Sequence, residues 1–283
     1  MTPAPDPAYV AARRVLLDAL QALTAHLDAI IVVGAQAIYL RTGTAGIGVA
    51  PLTTDADLAF DPASLAERPQ LESMMAKAGF QRAVGAAGAW TTTTIINGRP
   101  VTVPVDLMVP TGAAPPGSGR RSVSLTGHDP GATRQAAGLE AVLIDNGTMR
   151  IGSLEPSDTR TSEVRTAGPT ALIIAKLHKI AERIAAGRAH RVDAKDAADV
   201  YRLILTTPAD TVIDALRLLI ANDRSASATR YGLEQLTELF GARLRSGVQL
   251  AVQALDPAVP PARVEAVCAA FVRHIQAAEL NQP

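Results

Sequence analysis

The sequence has little of several residue types that particular classes of protein require. Its 283 residues include one cysteine, Cys268, so neither a disulfide framework nor a cysteine-rich zinc site can form. Aromatic residues make up 3% of the chain, which argues against a reader of single-stranded nucleic acid built on stacked aromatic side chains. Basic and acidic residues each number 27, so the bulk charge indicates neither a nucleic-acid nor a membrane partner, although a local basic patch is compatible with this balance.

Long apolar runs and common catalytic motifs are also missing. The longest apolar run, residues 29–40, is far shorter than the roughly 20 residues that span a bilayer. The first ten residues lack the basic segment and following apolar segment of a signal peptide, so we expect a cytoplasmic protein with no membrane partner. The sequence contains no P-loop, no GxGxxG fingerprint, no HExxH and no CxxC. Hydrophobic residues nevertheless reach 48%, enough for a sizeable core.

Strand and helix patterns alternate in the first part of the chain. Apolar residues at helical spacing predict a helix over 8–27, and the run IIVV predicts a buried strand that ends at Gly34, before a helix over 35–40. A Gly-rich loop, a strand over 54–60 and a helix to about residue 78, interrupted by Pro69, follow. Two strand-like runs flank Asn97-Gly98, which is typical of a hairpin. A second hairpin is predicted around residues 145–147.

Helical patterns alone follow Pro169. They cover residues 169–186, 193–206, 209–221, 225–254 and 261–279. We therefore predict an α+β fold, in which residues 1–167 form a domain with a mixed β-sheet and residues 168–283 form an all-helical domain.

Two aspartates stand at the start of the strand predicted over 54–60. Asp55 and Asp57 are two residues apart, so on a strand their side chains point to the same face. Neighbouring carboxylates repel unless a cation neutralises them, and a hard cation such as Mg²⁺ prefers oxygen ligands. The alternative is an exposed strand end with two solvated acids.

A third aspartate lies in the apolar strand VTVPVDLM. Val103 and Val105 alternate onto one face, and Asp106 falls on the other. A lone acid in an apolar strand costs free energy unless it is paired or binds a metal. Three aspartates on neighbouring strands could hold two metal ions, as in phosphoryl transfer. The alternative for Asp106 is a satisfied acid on an edge strand.

The helix predicted from Pro169 carries three cations beside its apolar stripe. Lys176, Lys179 and Arg183 fall within roughly 60° of one another on a helix. They could contact phosphates, or be a solvated face, or form an ion-pair network with Asp196 and Asp199 of the next helix. In the free protein we expect Asp196 or one of the strand acids beside Lys176. If Lys176 is catalytic, a Lys176→Met change should cost far more activity than stability, and if it is a surface lysine the change should affect neither.

Together these residues resemble the polymerase-β-like nucleotidyltransferase superfamily. The pattern is Gly34 after an apolar strand, then Thr54-Asp55-x-Asp57, then an acid on a separate strand. The later segment AKLHKIAER…KDAADVYRL is similar to the C-terminal motifs of the AbiEii/MenT-type nucleotidyltransferase toxins, on the residues Lys176, Arg183, Lys195, Asp196 and Asp199. The resemblance covers residues 30–206, and Ala35 stands where the family has Ser or Gly.

The resemblance implies a nucleotidyltransferase fold and Mg²⁺-dependent transfer of a nucleoside monophosphate from a nucleoside triphosphate, with two ions. The metal ligands it implies are Asp55, Asp57 and Asp106, and the catalytic residues are these three with Lys176. The nucleotide-binding residues it implies are Gly34, Ala35, Thr54, Lys179, Arg183, Lys195 and Asp196. It also implies a tRNA acceptor and a cognate antitoxin as partners.

Two other functions are compatible with the same residues. One is a non-catalytic binding protein that keeps the nucleotidyltransferase fold. The presence of alanine at position 35, where the family has Ser or Gly, favours this function. The other is a nucleotidyltransferase that modifies small molecules of the antibiotic type. That enzyme needs an acidic acceptor pocket in the helical half and no affinity for RNA.

Overall fold

The computed structural model describes residues 5–43, 46–119, 121–187 and 194–280. It divides into two compact units. Unit 1 comprises Met1–Leu40, Ala50–Ala136 and Asn146–Ala167, and unit 2 comprises Arg41–Val49, Ala137–Asp145 and Gly168–Pro283. The α+β class, with a mixed sheet and a helical C-terminal region, is confirmed. Within the described residues, no helix is both long and apolar enough to cross a lipid bilayer.

Unit 1 is built on one mixed sheet. Its strands are β1 (Ile30–Val33), β2 (Ala56–Phe60), β3 (Gln81–Arg82), β4 (Ala89–Ile96), β5 (Arg99–Pro110), β6 (Arg134–Ala136), β7 (Asn146–Gly152) and β8 (Thr161–Ala167). Their order is β3-β4-β5-β2-β1-β8-β7, and β6 pairs with β5. Strand β1 is antiparallel to β2 and parallel to β8, whereas β2 is parallel to β5. All four β-branched residues of β1 are buried, which makes this strand the centre of the core.

Three helices accompany the sheet in unit 1: α1 (Pro7–Ala22), α2 (Gly34–Thr42, of which the last two residues belong to unit 2) and α3 (Leu71–Lys77). Helix α1 begins where Asp6 accepts a hydrogen bond from the Ala8 amide at 2.7 Å, with Pro7 at the first helical position. Helix α3 is shorter than predicted and begins only after Pro69, because proline disfavours helix at the residue before it.

The hairpin predicted at Asn97-Gly98 is present and joins β4 to β5. Asn97 and Gly98 have φ of 51° and 77°, the two positive values that a type I′ turn needs. The second predicted hairpin is wrong. Glu140–Leu143 forms a 3-10 helix, and Asn146-Gly147 opens β7, which pairs with the unpredicted strand β8. The run from Ala141 to Leu143 is apolar because it is buried in unit 2, and not because it is a strand.

Unit 2 contains the helices α4 (Pro169–Ala185), α5 (Ala194–Thr206), α6 (Ala209–Ala221), α7 (Ala226–Phe240), α8 (Ser246–Leu255) and α9 (Pro261–Ala277). The start predicted for α5, residue 193, lies outside the described residues. The single helix predicted over 225–254 is two helices, because α7 ends at Phe240 and five residues intervene before α8 begins at Ser246.

Two segments that precede the predicted boundary at residue 167 belong to unit 2. The Arg202 guanidinium donates to the carbonyls of Gly43 at 3.2 Å and Val49 at 3.0 Å, which fixes the first segment. The Asp145 carboxylate accepts from the Ala171 amide at 2.8 Å and caps the start of α4, which fixes the second. Burial raises the pKa of Asp145, although the backbone hydrogen bond from Ala171 and the charge of Arg41 oppose this.

A buried histidine makes the stability of unit 1 dependent on pH. His128 Nδ1 accepts the Leu71 amide at 3.2 Å and Nε2 lies 3.0 Å from the Ala66 carbonyl, so neutral His128 joins α3 to the preceding loop. Burial lowers the pKa of His128, whose charged form is further disfavoured by His26 and Arg68, while Glu72 and the Ala66 carbonyl favour it. Its stabilising contribution is therefore present above about pH 6.5 and is lost as the pH falls below that value.

We expect the free energy of unfolding of unit 1 to be lower at pH 5.0 than at pH 7.5, because protonation of His128 removes the acceptor of the Leu71 amide, a hydrogen bond worth about 1 kcal/mol. Trp90, the single tryptophan, is buried in unit 1, so its fluorescence during urea unfolding measures the loss. A His128→Gln variant can keep both hydrogen bonds without titrating and should lose this part of the pH dependence. Equal pH dependence in the two proteins would contradict the assignment.

Candidate active site

Two aspartates lie side by side at the centre of the sheet in unit 1. Strands β2 and β5 are parallel, and Asp57 and Asp106 are partners in their register. Neighbouring strands are about 4.8 Å apart and in-register side chains point to the same face. Ala56 and Leu58 are buried, whereas both aspartates are half-buried. The alternation read from each strand therefore places these two carboxylates together on one accessible face.

The third aspartate precedes the strand. Asp55 lies one residue before β2 and is half-buried, and its Oδ1 accepts a hydrogen bond from the Thr53 hydroxyl at 2.5 Å. Thr54, the residue predicted to bind nucleotide, is exposed, whereas Thr53 is buried. The spacing could have indicated Thr53, because it lies two residues before Asp55 in an extended segment.

Gly34 brings a helix N-terminus against Asp57. It follows β1, has a φ of +68° and begins α2. A Cβ at this position would lie 2.0 Å from Asp57 Oδ2, so a side chain here would collide with the carboxylate. The first amides of α2, including that of the buried Ala35, carry the partial positive charge of a helix start. This arrangement suits an anion or a charged oxygen beside the two aspartates.

A series of hydrogen-bonded, buried polar side chains holds the backbone of Asp55. Gln36 is almost fully buried and donates from Nε2 to the carbonyls of Ala12 at 2.9 Å and Asp55 at 3.0 Å. Its Oε1 accepts from the buried Arg13 guanidinium at 2.8 Å, which also donates to the Tyr9 hydroxyl. Burial lowers the pKa of Arg13, while the charge of Tyr9 raises it. Arg13 fixes which way the Gln36 amide points, and Gln36 in turn holds the Asp55 carbonyl, so these side chains orient Asp55.

An arginine that the sequence analysis missed is paired with Asp106. Arg134, at the start of β6, donates from Nη2 to Asp106 Oδ2 at 2.7 Å. Strand β6 continues the edge of β5 where β4 ends, with Met108 opposite Arg134. No local sequence pattern indicates this pair, because the two residues are 28 positions apart and β6 has three residues.

The donor chemistry of Asp55, Asp57 and Asp106 suits a hard cation, since carboxylate oxygens are the ligands Mg²⁺ takes from proteins. Among the described residues, however, no group of three or more His, Cys, Asp or Glu side chains is arranged to hold a metal ion. Asp106 is engaged by Arg134, and Asp55 by Thr53. Metal binding by Asp55, Asp57 and Asp106 stays a prediction.

Within unit 2, the predicted cations of α4 meet the predicted acids of α5. The Lys176 ammonium lies 2.6 Å from Asp196 Oδ1 and 2.8 Å from Asp199 Oδ2, so the expected pairing with Asp196 is confirmed. Lys179 and Arg183 also contact Asp196, at 3.1 and 2.7 Å. This arrangement is the ion-pair network between helices that the sequence left open as one alternative. Lys195 is half-buried and next to Asp196 in the chain.

Burial alone would lower the pKa of Lys176, but the charges of Asp199 and Asp196 outweigh it and hold the pKa above its ordinary value. Burial alone would raise the pKa of Asp196, but Lys176 and Lys179 lower it to about 2. Lys176 and Asp196 are therefore both charged throughout the neutral pH range. Phosphate contact by Lys176, Lys179 or Arg183 stays a prediction.

We expect a Gly34→Ala change to cost about 2–4 kcal/mol and to abolish any activity that needs Asp57. About 1–2 kcal/mol comes from the left-handed backbone and the rest from the collision with the Asp57 carboxylate. Gly85, with a φ of +73° and no atom within 4 Å of the point that a Cβ would occupy, offers the matched control Gly85→Ala. Trp90 fluorescence during urea unfolding compares them, and equal costs would contradict the close approach of Gly34 and Asp57.

No known protein-family model matches this sequence, and a search of curated proteins finds no match. The assignment of function therefore depends on the geometry of the residues described above.

Proposed function

We propose that the protein is a metal-dependent nucleotidyltransferase, which moves a nucleoside monophosphate from a nucleoside triphosphate to an acceptor. The observation that carries the proposal is the register of Asp57 with Asp106 on parallel strands, with the Asp57 carboxylate against the start of α2 at Gly34. Two adjacent acids can bind a cation, and a helix start beside them can bind the phosphates that the cation accompanies.

Each residue of this arrangement has a part in the proposed reaction. Asp55, Asp57 and Asp106 would hold Mg²⁺, which would neutralise charge on the triphosphate. The amides of Gly34 and Ala35 would donate to phosphate oxygens. Asp106 would accept the proton of the acceptor hydroxyl, whose oxygen bonds to the α-phosphorus as the bond to pyrophosphate breaks. Thr53 and Gln36 would keep Asp55 in position.

The identity of the acceptor molecule and the biological setting are more specific parts of the proposal. We propose tRNA as the acceptor and a toxin–antitoxin pair as the setting, and what supports both is the ordered set of residues from Gly34 to Asp199 that resembles the toxin family. A cytoplasmic location belongs to the same proposal.

A groove in unit 2 favours a second candidate, transfer to a basic small molecule. It lies between α7 and α9, has a volume of about 540 Å³ and is lined by the acidic residues Glu234, Glu238 and Glu279. The apolar side chains of Leu233 and Val272 also line the groove. An acidic pocket in the helical half is what a small-molecule nucleotidyltransferase requires.

Non-catalytic binding is favoured by a different observation, since Arg134 engages Asp106 and Ala35 offers no hydroxyl to a phosphate.

Isothermal titration with each of the four ribonucleoside triphosphates, with and without Mg²⁺, tests the proposal. The nucleotidyltransferase must bind one of them more tightly when Mg²⁺ is present. Absence of binding to all four would contradict both nucleotide functions, and Mg²⁺-independent binding would favour the non-catalytic protein.

A further inference from the structure

Arg134 is the residue of the candidate site that neither the sequence motifs nor the proposed reaction accounts for. The Arg134 side chain is 35% exposed and the Asp106 side chain is 28% exposed, so both side chains are partly accessible to solvent. Of the two, Asp106 lies on β5, the strand that neighbours β2, where it is opposite Asp57 in the register. Arg134 therefore supplies a positive charge to one of the acids that the proposed reaction needs for a metal ion.

The backbone of Arg134 is held by the sheet and by close packing on Gly88. Strand β6 is hydrogen-bonded to β5, and the Arg134 amide and Cγ pack so closely on Gly88 that a Cβ there would lie 2.5 Å from the amide nitrogen. The second guanidinium nitrogen, Nη1, makes only a long contact of 3.5 Å with the Gln135 carbonyl. A backbone held by the sheet and a partly exposed guanidinium with a single short hydrogen bond suit a side chain that changes partner.

We propose, on the basis of the nucleotidyltransferase function above, that Arg134 exchanges Asp106 for a phosphate of the incoming nucleotide. Guanidinium binds carboxylate and phosphate in the same planar, two-pronged manner, so the exchange keeps its hydrogen bonds satisfied. Release of Asp106 then leaves its carboxylate for the metal ion that accompanies the triphosphate. Arg134 is thus a phosphate-binding residue that couples nucleotide binding to metal binding.

The exchange predicts two effects of opposite sign for Arg134→Gln. Without nucleotide, the change frees Asp106, so the affinity for Mn²⁺ should rise about fivefold, because an exposed ion pair competes by about that factor. With saturating Mg²⁺, the change removes a phosphate contact, so the affinity for the nucleoside triphosphate should fall about tenfold. A residue with a purely structural role would not shift the two affinities in opposite directions.

The full chain serves for both measurements. Electron paramagnetic resonance of free Mn²⁺ gives the metal affinity, and isothermal titration with the triphosphate that the wild type binds best gives the nucleotide affinity. Arg150→Gln, on the exposed arginine of β7, is the matched control and should change neither. Arg134→Lys keeps the charge, so it should keep the Mn²⁺ affinity within twofold and recover part of the nucleotide affinity. Trp90, which donates to the Ala132 carbonyl beside β6, reports by fluorescence that each variant is folded.

Opposite shifts in Arg134→Gln, with neither in Arg150→Gln, support the exchange, and any other pattern in a wild type that binds nucleotide overturns it. A wild type that binds no nucleotide is a failure of the proposed function, seen before any variant is compared.

Discussion

Replacing Asp57 by asparagine should lower nucleotidyl transfer by about 10³-fold or more while the fold is retained. The asparagine side chain has the size of aspartate, so it keeps the close packing against Gly34 and the position opposite Asp106. It removes the negative charge that the proposed metal ion requires. Pyrophosphate release in the presence of each nucleoside triphosphate measures the rate, and Trp90 fluorescence verifies the fold.

The matched control is Asp28→Asn, which makes the same change at an exposed aspartate of unit 1. It should leave the rate within about twofold of wild type. A wild-type rate in Asp57→Asn would remove Asp57 from the mechanism, and with it the observation on which the proposed function depends.

Replacing Lys176 by methionine should lower the free energy of unfolding by about 3–5 kcal/mol, because it leaves two buried carboxylates without their shared cation. The Lys176 side chain is 8% exposed, and those of Asp196 and Asp199 are 4% and 3% exposed. This differs from the expectation from sequence, in which Lys176→Met costs far more activity than stability, or affects neither. Thermal unfolding followed by circular dichroism at 222 nm measures the change, since most helices belong to unit 2.

Lys179→Met is the matched control, because it makes the same change on the same helix beside the same Asp196. Lys179 is 47% exposed, so its loss should cost at most about 1 kcal/mol. The double change Lys176→Met with Asp199→Leu should recover most of the stability, since Asp196 keeps Lys179 and Arg183. Equal losses in Lys176→Met and Lys179→Met would contradict the assignment of a buried ion pair.

Local sequence patterns correctly predicted the helices and strands whose ends or turns are set by neighbouring residues in the chain. The helices of unit 2 start and end within a residue or two of their predicted bounds where proline or glycine marks them, as at Pro169 and Pro261. The hairpin at Asn97-Gly98 was predicted because its turn chemistry is local. Strand β8 was not predicted, since only Val164 and Thr166 alternate inward among exposed polar residues, and its pairing with β1 is a long-range contact.

The residues of the candidate site also fall into those that a local pattern predicted and those that long-range contacts place. Alternation within two strands was enough to place Asp57 and Asp106 on one face, because the period of a strand is local. Gln36, Arg13 and Arg134 were missed because their roles come from contacts between residues 19 to 28 positions apart. No periodicity within one element encodes such contacts.

The most direct test of the account is to incubate the protein and Mg²⁺ with nucleoside triphosphates labelled on either the α- or the γ-phosphate, together with a cell extract. The account predicts that label from the α-phosphate becomes attached to an acceptor, that label from the γ-phosphate leaves as pyrophosphate, and that Asp57→Asn does neither. Separation of RNA from small molecules then distinguishes the proposed tRNA acceptor from a basic small molecule. Transfer of the γ-label, or no transfer of either label from any of the four nucleotides, would contradict the proposed function.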